Sequence, residues 1–285
     1  MLADVVDLLR CPHCADPLVL DGRTAGCARG HRFDVARQGQ LNLLRRPAGA
    51  TADTAAMVAA RAEFLSRGHY APIAELVVAA AADALPGDPR PDGPVAVEPG
   101  AGTGYYLATV LDRLLETAPV ARGIASDLSA YACRRAAKLP RTGAIVADTW
   151  AGLPIRDAVA DIVLTVFAPR NWSEFARICA PSGRVLVVTP LPDHLREVRL
   201  ARGLMAIEKA KHERLLAEAE PWLRHAGHEG LRYRRTFTTD EITALVAMGP
   251  NAFHADAGAP TAKTEPLETT IAVRLDAFEP NQRCV

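Results

Sequence analysis

Apolar residues recur in two rhythms along this 285-residue chain. Short continuous runs at 120–126, 144–147, 160–167 and 183–189 include the segments ADIVLTVF and GRVLVVT. Between them, apolar positions return every three or four residues. Leu107, Val110, Leu111, Leu114 and Leu115 predict a helix over 106–116, and similar spacing predicts helices over 130–138, 172–179 and 239–248. Strands alternating with helices at this spacing predict a parallel, doubly wound α/β sheet. Continuous rather than alternating apolar runs agree with strands buried on both faces. Upstream, Asp53 is read as the N-cap of a helix carrying Met57, Ala60, Phe64 and Leu65, which stops at Arg67-Gly68. A second helix spans 73–85 and ends in the Pro/Gly-rich loop PGDPRPDGP. One charged helix is expected over 197–220, with Leu200, Leu204, Ile207 and Leu215 as its apolar stripe.

The stretch VAVEPGAGTGYY, residues 95–106, organises the rest. A short apolar strand runs into Glu98, then into Gly100, Gly102 and Gly104. Only residues without a Cβ let backbone approach a ligand that closely. Ligands of such sheets sit beyond the carboxyl ends of the strands at the switch point, where Glu98, Asp127 and Asp148 all fall. A dinucleotide fingerprint would read G-x-G-x-x-G, with helix amides facing a pyrophosphate. Here the third glycine comes one residue early, and Glu98 would repel a diphosphate but suits an ammonium. E-x-G-x-G-x-G with an acid ending the next strand selects S-adenosylmethionine over NAD, with a Rossmann-like methyltransferase fold as the consequence. Glu98, Gly100, Gly102, Thr103, Gly104 and Asp127 are its candidate contacts. The strand at 269–275 is then the last of the sheet, antiparallel in methyltransferases of this class.

Bulk properties narrow the partners. The 33 basic and 33 acidic residues cancel, which argues against a chain that coats nucleic acid non-specifically. No stretch approaches the roughly 20 apolar residues of a membrane span, and the N-terminus has no signal-peptide pattern; a soluble cytoplasmic protein is expected. Three of the six cysteines crowd into the first 27 residues, while Cys133, Cys179 and Cys284 lie far apart, which is unlike a disulfide framework.

Cys11, Cys14, Cys27 and His31 give C-x2-C-x12-C-x3-H, a spacing that closes a tetrahedron around Zn²⁺. A redox C-x-x-C would need a βαβ context, and these flanks are turn-rich instead. Residues 18–20 read as a strand with an Asp21-Gly22 turn. Such a module is too small for a core of its own, so metal would supply its folding energy. Its four ligands close the site, which points to structure or recognition and away from zinc catalysis. His13 is a spectator.

The zinc spacing followed by HRFDVARQGQLNLL resembles the bacterial 23S rRNA guanine-N1-methyltransferases (RlmA-type), which carry a small zinc domain before a methyltransferase fold. The segments RAEFLSRGHY and TPLPDHL are similar to the same family in the same order. The resemblance implies that Tyr70 and His194 reach the cofactor; the alternatives are a tyrosine packed between helices and a histidine on a surface loop. It also implies a zinc-binding RNA-recognition domain at 1–46, a helical segment at 47–94 contributing to the cofactor site, and a catalytic domain at 95–285. The substrate would be N1 of a guanine in a domain II hairpin loop of 23S rRNA, with tylosin-type macrolide resistance in one branch and a neighbouring guanine in the other. A homodimer is expected on the same ground. Glu98-Pro-Gly-Ala-Gly departs from the family's commoner D-x-G-C-G, and Gln40 stands where an aromatic is common, on what is expected to be the zinc-domain surface. Arg29, Arg32, Arg37, Arg45 and Arg46 are candidates for gripping RNA; Arg224, Arg232, Arg234 and Arg235 form either a phosphate-binding cluster or a solvated face. The target base would lie at 167–171, with Asp148 or His194 assisting loss of the N1 proton. A small-molecule methyltransferase would share the glycine loop but has little use for the zinc knuckle.

Overall fold

The computed structural model describes residues 1–49, 51–85, 91–204, 207, 211–249 and 265–281. Two 3-10 turns, Leu2–Asp4 and Val6–Leu8, open the chain. A small antiparallel sheet follows: β1 (Val19–Asp21), β2 (Thr24–Gly26) and β3 (Arg32–Asp34). Gly22 takes the left-handed turn at φ 58°, so the β1–β2 hairpin closes one residue later than the Asp21-Gly22 turn expected. Next come β4 (Leu41–Asn42), α1 (Ala55–Ser66) and α2 (Ala71–Asp83). The N-cap of α1 is Thr54, whose hydroxyl accepts the Met57 amide at 3.3 Å. Asp53, the expected cap, is instead ion-paired with Arg61.

The chain continues through β5 (Val95–Pro99), α3 (Tyr105–Thr117), β6 (Arg122–Asp127), α4 (Ala130–Ala136), β7 (Thr142–Val146), β8 (Ala160–Val166), α5 (Trp172–Ile178) and β9 (Cys179–Pro190). It closes with α6 (Arg196–Ala201), α7 (Lys211–Ala219), β10 (Leu223–Phe237), α8 (Thr239–Ala247) and β11 (Leu267–Pro280). The eight-stranded sheet has the order β10-β11-β9-β8-β5-β6-β7-β4. Strands β5 to β9 are mutually parallel, while β11 is antiparallel to both β9 and β10. Chain order reverses between β5 and β8, which places the switch-point crevice there.

Two expectations fail in the last third. The helix expected over 197–220 is two helices, because α6 ends at Ala201 and Gly203 turns left-handed at φ 61°. Residues 205, 206 and 208–210 between them, as well as Cys284, lie outside the described residues. β10 was not foreseen: Gly227 at a bulge, Gly230 and five charged residues obscure its alternation. It is an edge strand, and polar edges are how sheets avoid unwanted pairing.

Alternate residues of each central strand face two separate apolar layers. Ala96, Ala125, Val146, Ile162, Leu164 and Val188 face the layer roofed by α1, α2, α3 and α8. Val95, Val97, Ile124, Ile145, Val163 and Val187 face the other, which is covered by α5, α7 and the chain's own N-terminus through Leu2, Val5, Leu8 and Leu9. Gly143 makes room for that segment, since a Cβ on it would stand 2.1 Å from Val5 Cγ2. The zinc module therefore shares an apolar core with the sheet, and Cys11, Leu18 and Ala25 are buried in it. The module thus has no separate core of its own, as expected, but it borrows that of the sheet. Gln40, expected on the module's surface, is 8% exposed.

Candidate active site and metal centre

The metal ligands are presented by two tight turns. In the first, Ala15 N–H donates to Cys11 O at 2.9 Å and Ala15 takes φ 63°. In the second, Gly30 N–H donates to Cys27 O at 2.9 Å and Gly30 takes φ 84°. The turns bring Cys14 Sγ to 3.6 Å from Cys27 Sγ, and His31 Nδ1 to 3.3 Å from Cys27 Sγ and 3.5 Å from Cys11 Sγ. All four ligand atoms lie within 4.8 Å of one another. Zn–S bonds of ~2.3 Å and Zn–N bonds of ~2.0 Å give tetrahedron edges of roughly 3.5–3.8 Å, so the set fits Zn²⁺. His13 stands outside it, its ring stacked on Phe33 at 6.0 Å.

At the carboxyl end of β5 the chain turns through Gly100, Gly102 and Gly104, all left-handed at φ 72°, 55° and 78°. A Cβ on Gly100 would fall 2.5 Å from Ala168 Cβ, on the β8 side of the crevice. Glu98 is 1% exposed, and its Oε2 accepts the Leu107 amide at 3.0 Å in the first turn of α3. Burial pushes this carboxyl well above the carboxylate range, and nearby Asp127 adds to the rise against the Leu107 hydrogen bond. An acid held in this way lacks a cationic partner among the described residues, which is what a ligand's ammonium supplies. Asp127, ending β6, accepts the Gly102 amide on Oδ2 and the Ser129 amide on Oδ1, both at 2.8 Å. Each oxygen keeps an acceptor position free. Thr103 lies half-buried between Gly102 and Gly104.

Tyr70 and His194 meet from distant segments. Ala272 N–H donates to His194 Nδ1 at 3.3 Å, and His194 Nε2 lies 3.4 Å from Tyr70 Oη. With Nδ1 accepting, the neutral ring carries its proton on Nε2, directed at Tyr70. Burial lowers His194 to about 3, with Arg199 contributing, so the ring is neutral. Arg199 also donates to His194 O at 3.0 Å and orients the loop. Burial raises the Tyr70 hydroxyl far above its usual range, so it stays protonated. Phe167, at the end of β8, completes the group with its ring 6.0 Å from that of Tyr70 and 5.5 Å from that of His194. It is 40% exposed and left-handed at φ 54°, a conformation a bulky side chain adopts only where surrounding structure enforces it.

Asp148 lies beyond the end of β7, where its Oδ1 accepts the Trp150 amide at 2.9 Å. It is two strand spacings from β5, roughly 10 Å along the sheet, and so is not part of the Tyr70–His194–Phe167 group. Two residues near the glycine turn were not foreseen. Arg61 lies over the glycine turn, its Nη1 3.1 Å from where a Gly102 Cβ would stand, and donates to Met248 O at 2.7 Å. Tyr106 is buried, and among the described residues no hydrogen bond reaches its hydroxyl. Arg61 was visible only as one residue of RAEFLSRGHY, and Tyr106 only as one more apolar helix position.

A family model described as RlmA, N-terminal, a zinc ribbon, matches residues 9–48. The chain is 47% identical over 257 residues to the 23S rRNA (guanine(748)-N(1))-methyltransferase of Streptomyces fradiae, covering 90% of this chain and 89% of that protein. It is 44% identical over 298 aligned residues to a presumed 23S rRNA guanine-N1-methyltransferase of Micromonospora griseorubida, covering 98% and 100%. Among solved structures, a chain from the complex of the Haloferax volcanii Trm112 methyltransferase activator with a methyltransferase superposes with a TM-score of 0.50 at 17% identity, over 81% of this chain and 99% of that one. That last likeness concerns the fold alone.

Proposed function

The chain belongs to the 23S rRNA guanine-N1-methyltransferase family, and from that premise we propose that it methylates N1 of a guanine in a domain II hairpin loop of 23S rRNA. Within the family the reading follows the branch of the Streptomyces fradiae relative, with tylosin-type macrolide resistance as its consequence. S-adenosylmethionine supplies an electrophilic methyl group on a sulfonium. Glu98 receives the ammonium of its methionyl part, Asp127 the ribose hydroxyls, and Gly100, Gly102, Thr103 and Gly104 give backbone close approach. Asp148, away from the base site, suits the adenine edge better than the N1 proton. His194 orients Tyr70 rather than acting as a base, because both its nitrogens are engaged.

The observation that carries this reading is Phe167. Its strained, half-open ring stands at the switch point beside Tyr70 and His194, where a guanine taken out of a loop can stack. Extruding a loop guanine costs less stacking energy than opening a pair. The surface of the zinc module, with Arg29, Arg32, Arg37, Arg45 and Arg46, grips the RNA backbone on one flank. The enzyme works in the cytoplasm as a homodimer; among the described residues no helix is long and apolar enough to cross a membrane.

The test is primer extension on 23S rRNA incubated with the protein and S-adenosylmethionine. A new stop at a domain II loop guanine is expected, and its nucleotide assigns the branch. Phe167→Ala should raise KM for RNA roughly 5- to 100-fold, as loss of one base stack worth ~1–3 kcal/mol implies, with cofactor affinity unchanged. Absence of any stop, with methylation of a small molecule instead, would overturn the reading.

A further inference from the structure

The ribbon of β10 and β11 runs past the rest of the sheet. β9 ends at Pro190, which pairs with Val273, whereas β10 and β11 stay paired from Arg232↔Ala272 to Phe237↔Leu267. Those further residues carry the ribbon about 20 Å beyond the carboxyl end of β9, on the side of the glycine turn and Phe167. Tyr233 fastens it to the turn between α1 and α2, donating its hydroxyl to His69 O at 2.8 Å. Between that turn and the ribbon lies an open polar cavity of about 470 Å³, lined in part by Arg67, His69, Arg234, Arg235 and Glu268.

Its cations are weakly committed. Arg234 pairs with Glu268 at 2.9 Å, with both side chains more than half exposed. Arg67 divides its guanidinium between Glu63 at 2.7 Å and Glu241 at 3.1 Å. The Arg235 guanidinium lies 5.9 Å over the Tyr233 ring, and among the described residues no carboxylate pairs with it. An exposed ion pair such as Arg234–Glu268 is weak and open to exchange, and a guanidinium fork matches phosphate oxygens as well as it matches carboxylates. A cavity this polar does not resemble an apolar small-molecule pocket.

We propose that the groove between the α1–α2 turn and the β10–β11 ribbon binds RNA phosphates, on the flank of the crevice opposite the zinc module. The proposal rests on the rRNA reading above. In the sheet β4 forms one edge and β10 the other, seven spacings or roughly 34 Å apart. On the zinc flank, β4 pairs at the carboxyl end of β7, and Arg45 beyond it donates to Ala151 O at 3.0 Å. Both basic flanks thus rise on the rim that carries the glycine turn and Phe167, and the strand is held on either side of the guanine that enters between them. Contacts to phosphate set position and register, while the base site supplies identity.

The test is fluorescence anisotropy with an RNA hairpin carrying the domain II loop, measured across a series of KCl concentrations. The proteins compared are wild type, the double variants R234E/R235E and R234Q/R235Q, and R113E, a charge reversal two turns into α3. The R234E/R235E protein should bind at least ~10-fold more weakly, and the slope of log affinity against log salt should fall by ~1–2. R234Q/R235Q should lie between, R113E should match wild type, and calorimetric S-adenosylmethionine binding should be the same in all four. Wild-type affinity and slope in both double variants would overturn the groove and leave the rRNA reading standing. A wild-type protein that fails to bind the hairpin would remove both. Loss of cofactor binding in both double variants would show the arginines to be structural and overturn the proposal.

Discussion

Gly100→Ala is the substitution whose cost the structure states most directly. Gly100 sits at φ 72°, and a Cβ there would stand 2.5 Å from Ala168 Cβ. A left-handed conformation costs a non-glycine residue ~1–2 kcal/mol. The clash adds ~1–3 kcal/mol of overpacking, because Ala168 belongs to backbone at the end of β8 and has no flexible tip to swing aside. Reduced freedom of the unfolded chain returns ~0.4–1 kcal/mol. The net loss is about 1–5 kcal/mol, or roughly 2–8 °C in Tm for a chain of this size. The displaced turn should also slow methyl transfer on the order of 100-fold, as misplacement by about 1 Å does elsewhere. The two contributions separate in a double variant: Ala168→Gly removes the struck atom, so G100A/A168G should recover the steric part and keep the conformational part. Denaturant unfolding of wild type, both single variants and the double variant gives the coupling energy, expected above ~1 kcal/mol. A Gly100→Ala protein as stable as wild type would refute the reasoning, and so would a coupling energy near zero.

Two further outcomes follow from groups buried at the two sites. The folded pKa of His194 is lowered to about 3 by burial, so below the usual value near 6.5 the unfolded chain takes up a proton that the folded chain does not, and stability falls as pH falls. Relative to His194→Gln, wild type should lose up to ~1.4 kcal/mol per pH unit between about pH 6.5 and 5; parallel stability curves would refute it. Removing zinc by chelation, or Cys27→Ser, should cost one equivalent of metal by mass spectrometry and a large share of the ~10–16 kcal/mol typical of structural zinc. Because Cys11 and Leu18 share a core with Ile145 and Val163, the loss should lower the main unfolding transition; a separate early transition with the main one unmoved would contradict the shared core.

That shared core also changes how the zinc module can be tested. Deleting residues 1–46 would strip Leu2, Val5, Leu8 and Leu9 from the face of β7, so a fall in RNA affinity would not distinguish lost contacts from a damaged sheet. Charge reversal at Arg45 and Arg46 leaves the core in place.

The sequence by itself determined whatever depends on local chemistry and short spacing. Continuous apolar runs could only be strands buried on both faces, as β8 is along its whole length. Glycines at every second position after Glu98 pointed to a turn made for close approach, and two short-spaced Cys/His pairs pointed to one metal. Each of these signals lies within a few residues, where backbone sterics and ligand geometry leave little choice. The tertiary structure decided whatever depends on partners far along the chain. His194 is fixed as a buried ring facing Tyr70 because Ala272 N–H reaches its Nδ1 and Tyr70 closes on its Nε2, contacts spanning 78 and 124 residues. Gly143 reads as an ordinary strand position until Val5 is found where its side chain would stand. Arg234 and Arg235 read equally as a phosphate-binding cluster or a solvated face until pairing of β10 with β11 places them beyond the end of β9. Hydrophobic period and turn chemistry are written residue by residue, but which face meets which, and which charges share a groove, is fixed only when the sheet closes.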